Sequence, residues 1–88
     1  GMVLSNEPGY YEENKFGIRI ENLIYIKKIK KNVFFENLTF APIDLDLIDF
    51  KLLSKNEKSY LIKYHSQTYN KLSKYLNTKE KEWLLNLI

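Results

Sequence analysis

Residues 5–22 read SNEPGYYEENKFGIRIEN, and how this stretch folds decides the rest. Glu7 stands directly before Pro8-Gly9, a strong turn signal. Fourteen residues later, Glu21 closes a run of strand-like alternation. Ile18 and Ile20 fall on one face of that run, and Arg19 and Glu21 on the other. A half-buried strand here hides its isoleucines and presents Arg19 and Glu21 together. Upstream, residues 2–6 form a short β-compatible run; downstream, the alternation continues through Leu23 or Ile24 to Ile26. YYEENKF joins the two runs, so a hairpin is the economical topology.

Working outward, VFFENLTF at residues 33–40 is a further strand. Pro42 then ends regular structure, and APIDLDLIDFKLL reads as an extended segment followed by a tight turn or short helix. From Ser54 the period changes. Ser54 and Glu57 form an S-x-x-E capping box, and Leu61, Tyr64, Thr68, Leu72 and Tyr75 recur at helical spacing to about Leu76. Asn77 and Thr78 break the pattern and cap a last helix, from which Trp83, Leu84, Leu87 and Ile88 are expected to dock. The predicted fold class is α+β: short antiparallel strands, a linker and two C-terminal helices. A chain that opens inside a hairpin suggests a piece of a larger protein.

Composition narrows the function classes. With 88 residues there is room for one modest domain, which buries only about 60–65% of its unfolded surface. Seven Tyr and five Phe argue against a disordered tail, and the absence of Cys rules out disulfides and suits a cytoplasmic protein. No apolar run approaches the roughly 18 residues that span a bilayer, so no membrane partner is expected. The net charge of +3 sits partly in KKIKK at residues 27–31. Nucleic-acid binding wants a wider basic surface and a docking motif, so this run reads as a lysine-rich loop or strand edge that discourages edge pairing.

Two glutamates at the ends of neighbouring strands are what a di-metal site needs. Carboxylate oxygens bind divalent cations at about 2.0–2.2 Å and can bridge ions roughly 3.5–4 Å apart. By spacing alone, however, Glu7 and Glu21 read first as two solvated side chains, since two glutamates fourteen residues apart usually are. His65, the only histidine, lies in the long helix and reads as a partly buried helix-face residue. Nucleophilic triads and phosphate-binding glycine loops are absent.

Gly1-Met2, Ser5-Asn6-Glu7-Pro8-Gly9-Tyr10-Tyr11 and Phe16-Gly17-Ile18-Arg19-Ile20-Glu21-Asn22 closely resemble the last catalytic segment of the Xaa-Pro aminopeptidases, the aminopeptidase P group of the pita-bread metallopeptidases of family M24. The resemblance continues through Leu38-Thr39-Phe40, Pro42-Ile43, Ile48-Asp49, Leu53 and Tyr64-His65, which are similar to the C-terminal extension of the larger, cytosolic-type members. It implies that residues 1–30 end a catalytic domain and residues 31–88 form that extension. It implies two divalent metal ions, manganese or in some members zinc, and cleavage of an N-terminal residue that precedes proline.

On the same basis Glu7 corresponds to the glutamate on the histidine side of the cage, and Glu21 to the glutamate that bridges both ions. Tyr11 and Arg19 correspond to residues that line the site and orient ligands and substrate. The family cage also uses two Asp and one His from upstream segments, as well as substrate-binding histidines, with no counterpart here. His65 matches the extension instead. The expected partners are a proline-containing peptide, the remainder of the catalytic domain and a second copy in a homodimer. Residues 1–88 alone are expected to be inactive. The alternative is a pita-bread module that binds peptides or proteins without catalysis, against which the presence of both glutamates argues. Tyr and Leu on the last two helices read first as core cover, and as an interaction surface if exposed.

Overall fold

The computed structural model describes all of residues 1–88, which divide into two compact units, residues 1–39 and 40–88. In the first unit, β1 (Val3–Asn6) pairs antiparallel with β4 (Asn22–Ile29), and β2 (Gly9–Glu12) pairs antiparallel with β3 (Phe16–Arg19). The two ladders share one register. Val3 faces Tyr25, Asn6 faces Asn22, Gly9 faces Arg19 and Glu12 faces Phe16, so partner numbers always sum to 28. They are two stretches of one long ribbon whose apex is Asn14.

Asn14 adopts φ 60°, a left-handed conformation that asparagine tolerates better than most residues, and the Lys15 N–H donates to the Glu12 carbonyl at 3.1 Å to close the turn. YYEENKF is therefore not a plain connection: residues 9–12 and 16–19 are themselves strands. The ladder lapses only around Pro8, which has no N–H to give. The Ile20 N–H still donates to the Pro8 carbonyl at 3.0 Å, so the register crosses the gap intact.

β5 (Asn32–Asn37) adds to the other side of β4, giving a three-stranded sheet in the order β1-β4-β5. The strand expected over residues 33–40 ends at Asn37; the Leu38 N–H still bonds the Leu23 carbonyl at 2.8 Å, and Thr39 Oγ1 accepts from the Leu23 N–H at 2.9 Å. KKIKK is not an edge strand: Lys27 and Lys28 end the central strand, and Lys30-Lys31 form the two-residue loop of the β4–β5 hairpin. Lys27 pairs with Glu36 across the hairpin at 3.9 Å. Tyr10 donates its hydroxyl to Glu12 at 2.7 Å, which, with a smaller effect of burial, raises the phenol pKa above 10.0. No side chain of this unit is buried. Its apolar Tyr10, Phe16, Ile18 and Ile20 share the even-numbered face and remain exposed, so the expectation that the strand hides Ile18 and Ile20 is not met within residues 1–39.

The second unit has a core. Short 3-10 turns at Leu45–Leu47 and Phe50–Leu52, each opened by an aspartate whose side chain accepts a backbone N–H, carry the chain to the helix α1 (Lys55–Leu72). Ser54 and Glu57 complete the capping box: Ser54 Oγ accepts from the Glu57 N–H at 3.1 Å, and Glu57 accepts from the Ser54 N–H at 2.7 Å. Asn77 and Glu80 repeat the device for α2 (Thr78–Leu87).

Leu61, Tyr64, His65 and Thr68 line one stripe of α1 and are buried, together with Leu84 of α2. Three expectations need correction. α1 stops at Leu72 and passes into a 3-10 turn, leaving Tyr75 exposed. Of the four residues expected to dock from the last helix, only Leu84 is buried; Trp83 is 62% exposed. His65 is not partly but almost fully buried, at 5% exposure.

Candidate metal centre

The shared register places Glu7 directly opposite Glu21. Bonds at even positions, from the Ile26 N–H to the Met2 carbonyl and from the Ile20 N–H to the Pro8 carbonyl, mark the even pairs as hydrogen-bonded and the odd pairs as the closely approached kind. Glu7/Glu21, Gly9/Arg19 and Tyr11/Gly17 are therefore consecutive non-hydrogen-bonded pairs on one face, where facing Cα atoms lie only about 4.5 Å apart. All four residues singled out in the sequence share that face.

Two carboxylates facing each other across strands repel unless a cation joins them. Arg19 does so, with Nε 3.8 Å from Glu7 and a terminal nitrogen 3.5 Å from Glu21. Its guanidinium spans the pair as a planar fork, which an ammonium cannot. The three side chains are about half exposed, so the attraction is screened and modest. Ser5, on the same face, donates its hydroxyl to the other Glu7 oxygen. Sequence reasoning missed this contact, although Ser5 and Glu7 have the i, i+2 spacing of strand neighbours on one side.

Tyr11 lies along the ribbon. Its ring covers its cross-strand partner Gly17, and its hydroxyl reaches back over Gly9. Gly9 faces Arg19, so the phenol comes to rest beside the guanidinium's strand position.

Two carboxylates with four oxygens suit hard or borderline divalent ions such as manganese or zinc, and they converge closely enough to hold one guanidinium in common. The residues fit part of such a cage. No group of three or more His, Asp or Glu side chains comes together in the chain, and the Glu7/Glu21 pair is the extent of the carboxylate cluster on this face. His65 is elsewhere: its Nε2 accepts the Ile43 N–H at 3.0 Å, while the Tyr64 hydroxyl accepts the Ala41 N–H at 3.3 Å. The Tyr64-His65 pair thus holds the backbone on either side of Pro42. Burial lowers the His65 pKa, in keeping with a neutral acceptor ring.

Comparison with known proteins decides the family. Residues 1–28 match the model of metallopeptidase family M24, and residues 31–87 match that of the C-terminal region of peptidase M24. The chain belongs to metallopeptidase family M24. Among curated relatives of this M24 chain, a probable Xaa-Pro aminopeptidase P of Laccaria bicolor is 45% identical over 94 residues, covering 96% of the chain and 15% of the relative. Aminopeptidase P2 of Arabidopsis thaliana is 43% identical, covering 98% of the chain and 13% of the relative.

The X-prolyl aminopeptidase of Caenorhabditis elegans, described as a cytosolic enzyme with a di-nuclear active site, superposes with a TM-score of 0.84 at 33% identity. That match covers 97% of the chain and 15% of the worm enzyme. The M24 chain thus spans about one-seventh of the length of the proteins it matches, and its α+β order of strands followed by two helices agrees with that of the worm enzyme. No helix is long and apolar enough to cross a membrane.

Proposed function

We propose that this chain supplies two metal ligands and the C-terminal extension of an Xaa-Pro aminopeptidase, a cytosolic metallopeptidase that removes an N-terminal residue preceding proline. The observation that carries the reading is the pairing of Glu7 with Glu21 in register, joined by Arg19, within an M24 sequence. Residues 1–30 belong to the catalytic domain and residues 31–88 to the extension. Glu7 and Glu21 hold two divalent ions, manganese or zinc, together with ligands from the remainder of the catalytic domain. The chemistry supplied at this site, with the ions bound, would be a hydroxide nucleophile at neutral pH and polarisation of the scissile carbonyl.

The chain's own residues do the positioning. Arg19 and Ser5 fix the Glu7 carboxylate from two sides, Arg19 restrains Glu21, and Tyr11 walls the same face beside the substrate. Hydrogen-bonded ligands hold their orientation, and loss of such a partner costs roughly 10–100-fold in metal affinity or activity.

The test is Glu21→Ala in the longer protein that contains this chain. Metal content by elemental analysis and Xaa-Pro hydrolysis should both collapse; near-normal content and rate would refute the assignment. Residues 1–88 produced alone, with added manganese, should show no turnover, and robust hydrolysis would sink the partial-cage reading.

A second reading concerns assembly. Tyr75, Trp83, Leu85 and Leu87 are exposed on the last two helical segments, although such residues usually enter a core. They form part of a homodimer contact, and sedimentation of the longer protein with Trp83→Glu should then shift toward monomer. An unchanged mass distribution counts against it.

A further inference from the structure

Glycines in the middle of strands need a reason, because each costs about 0.5–1 kcal/mol relative to alanine through lost packing and chain entropy. Gly17 sits inside β3, and Gly9 opens β2 within the same continuous register. Their backbones give no reason, since no glycine in the chain has a positive φ. What they give is room. A Cβ on Gly17 would stand 2.5 Å from Cδ1 and 2.9 Å from Cε1 of Tyr11. A Cβ on Gly9 would stand 2.6 Å from the Tyr11 hydroxyl oxygen and 2.8 Å from Cε2. All these separations are shorter than real contacts allow. The two glycines meet opposite ends of the same ring: Gly17 lies under its root and Gly9 under its tip.

We propose that Gly9 and Gly17 are positioning residues for the M24 reaction: a two-glycine track that lays the Tyr11 ring flat along the ribbon and delivers its hydroxyl to the strand position facing Arg19. This rests on the metallopeptidase reading above. Tyr11 is 65% exposed, and its ring lies over the two glycines from root to tip. A methyl at either glycine lifts the ring away from the Glu7–Arg19–Glu21 face while leaving the strand backbone free to form. An aromatic ring packed over a cross-strand glycine also restores strand stability that the glycine forfeits, so the arrangement couples the two residues thermodynamically as well.

The coupling gives two readouts in the longer protein. The first is thermal and independent of activity. In a Tyr11→Ala background, Gly17→Ala should raise the melting midpoint or leave it level, because strands prefer alanine to glycine; with Tyr11 present, the same change should give a distinctly more negative shift. Equal shifts in both backgrounds overturn the track.

The second readout is kinetic. Gly17→Ala and Tyr11→Ala should each lower kcat/KM by roughly 10–100-fold, the range typical of lost orienting partners, and the double variant should be no slower than Tyr11→Ala alone. Multiplying losses would mean that Gly17 acts other than through Tyr11 and would overturn the proposal. If the thermal coupling is present but Tyr11→Ala retains full activity, the ring's catalytic relevance fails, and the positioning role with it, while the track persists as a packing device. If Glu21→Ala retains metal and rate, the metallopeptidase reading itself has failed.

Discussion

Replacing His65 by leucine tests the second unit where its chemistry is least replaceable. The imidazole is 5% exposed, and its Nε2 accepts the Ile43 N–H at 3.0 Å. Leucine keeps much of the volume but has no acceptor, so a part-buried N–H is left unpaired, at about 1–3 kcal/mol. For a domain of this size each kcal/mol moves the melting midpoint by about 4–8 °C, well within reach of far-UV circular dichroism. The pH dependence sharpens the test. Burial holds the His65 pKa below 6.5 in the folded chain. As the pH falls through about 6.5, the unfolded chain therefore binds a proton that the folded chain refuses. Native stability is fully present above that pH and declines below it, by at most about 1.4 kcal/mol per pH unit for one proton. The leucine variant lacks this term. The gap between the native chain and the His65→Leu variant should accordingly be widest near about pH 8 and narrow toward about pH 5.5. An unchanged midpoint at the higher pH, or a gap constant across the range, would refute the acceptor role.

Lys30 holds φ 55° in the two-residue β4–β5 loop, where glycine fits without strain, so Lys30→Gly should stabilise the hairpin by about 0.4–1 kcal/mol, read as slower amide exchange at Ile29 and Asn32. Ser54→Ala removes the oxygen that accepts the Glu57 N–H and should cost about 0.5–2 kcal/mol in chemical denaturation; no loss would show that the box is decorative. Arg19→Lys keeps the charge but not the fork, and in the longer protein should fail to restore the metal affinity that Arg19→Ala loses, as measured by calorimetric titration.

Parity and periodicity were legible in the sequence, and they carried far. Alternation through Ile18, Arg19, Ile20 and Glu21 assigned the right residues to one face, and the Ser54/Glu57 capping box and the Asn77-Thr78 break marked the two helix starts. What failed had distance in common. The ties from Tyr64 and His65 to Ala41 and Ile43 cross 22–23 residues, and nothing local in an extended segment announces which N–H groups need an acceptor. Proline at position 42, lacking an N–H between two residues that have one, was the available hint. Burial was misjudged in the last helix for a related reason: Trp83 and Leu84 are adjacent, so only one can face inward, and hydrophobicity does not say which.

The register across the ribbon was legible too, although it takes an extra step. Glu7 and Glu21 are equidistant from Asn14, and a three-residue loop with a left-handed asparagine at its centre makes them partners. Pro8 obscures this, because a missing N–H looks like the end of a strand. It removes one bond of a hydrogen-bonded pair and leaves the other, so the ladder thins without slipping. That thinning lies beside the Glu7/Glu21 pair. A continuous ladder would tie the strands with both bonds of the Pro8/Ile20 pair, whereas here a single bond holds them next to the two carboxylates. Pro8 thus links the local turn chemistry to the site: it leaves register, and hence the facing of the glutamates, unchanged while loosening only the point where they meet.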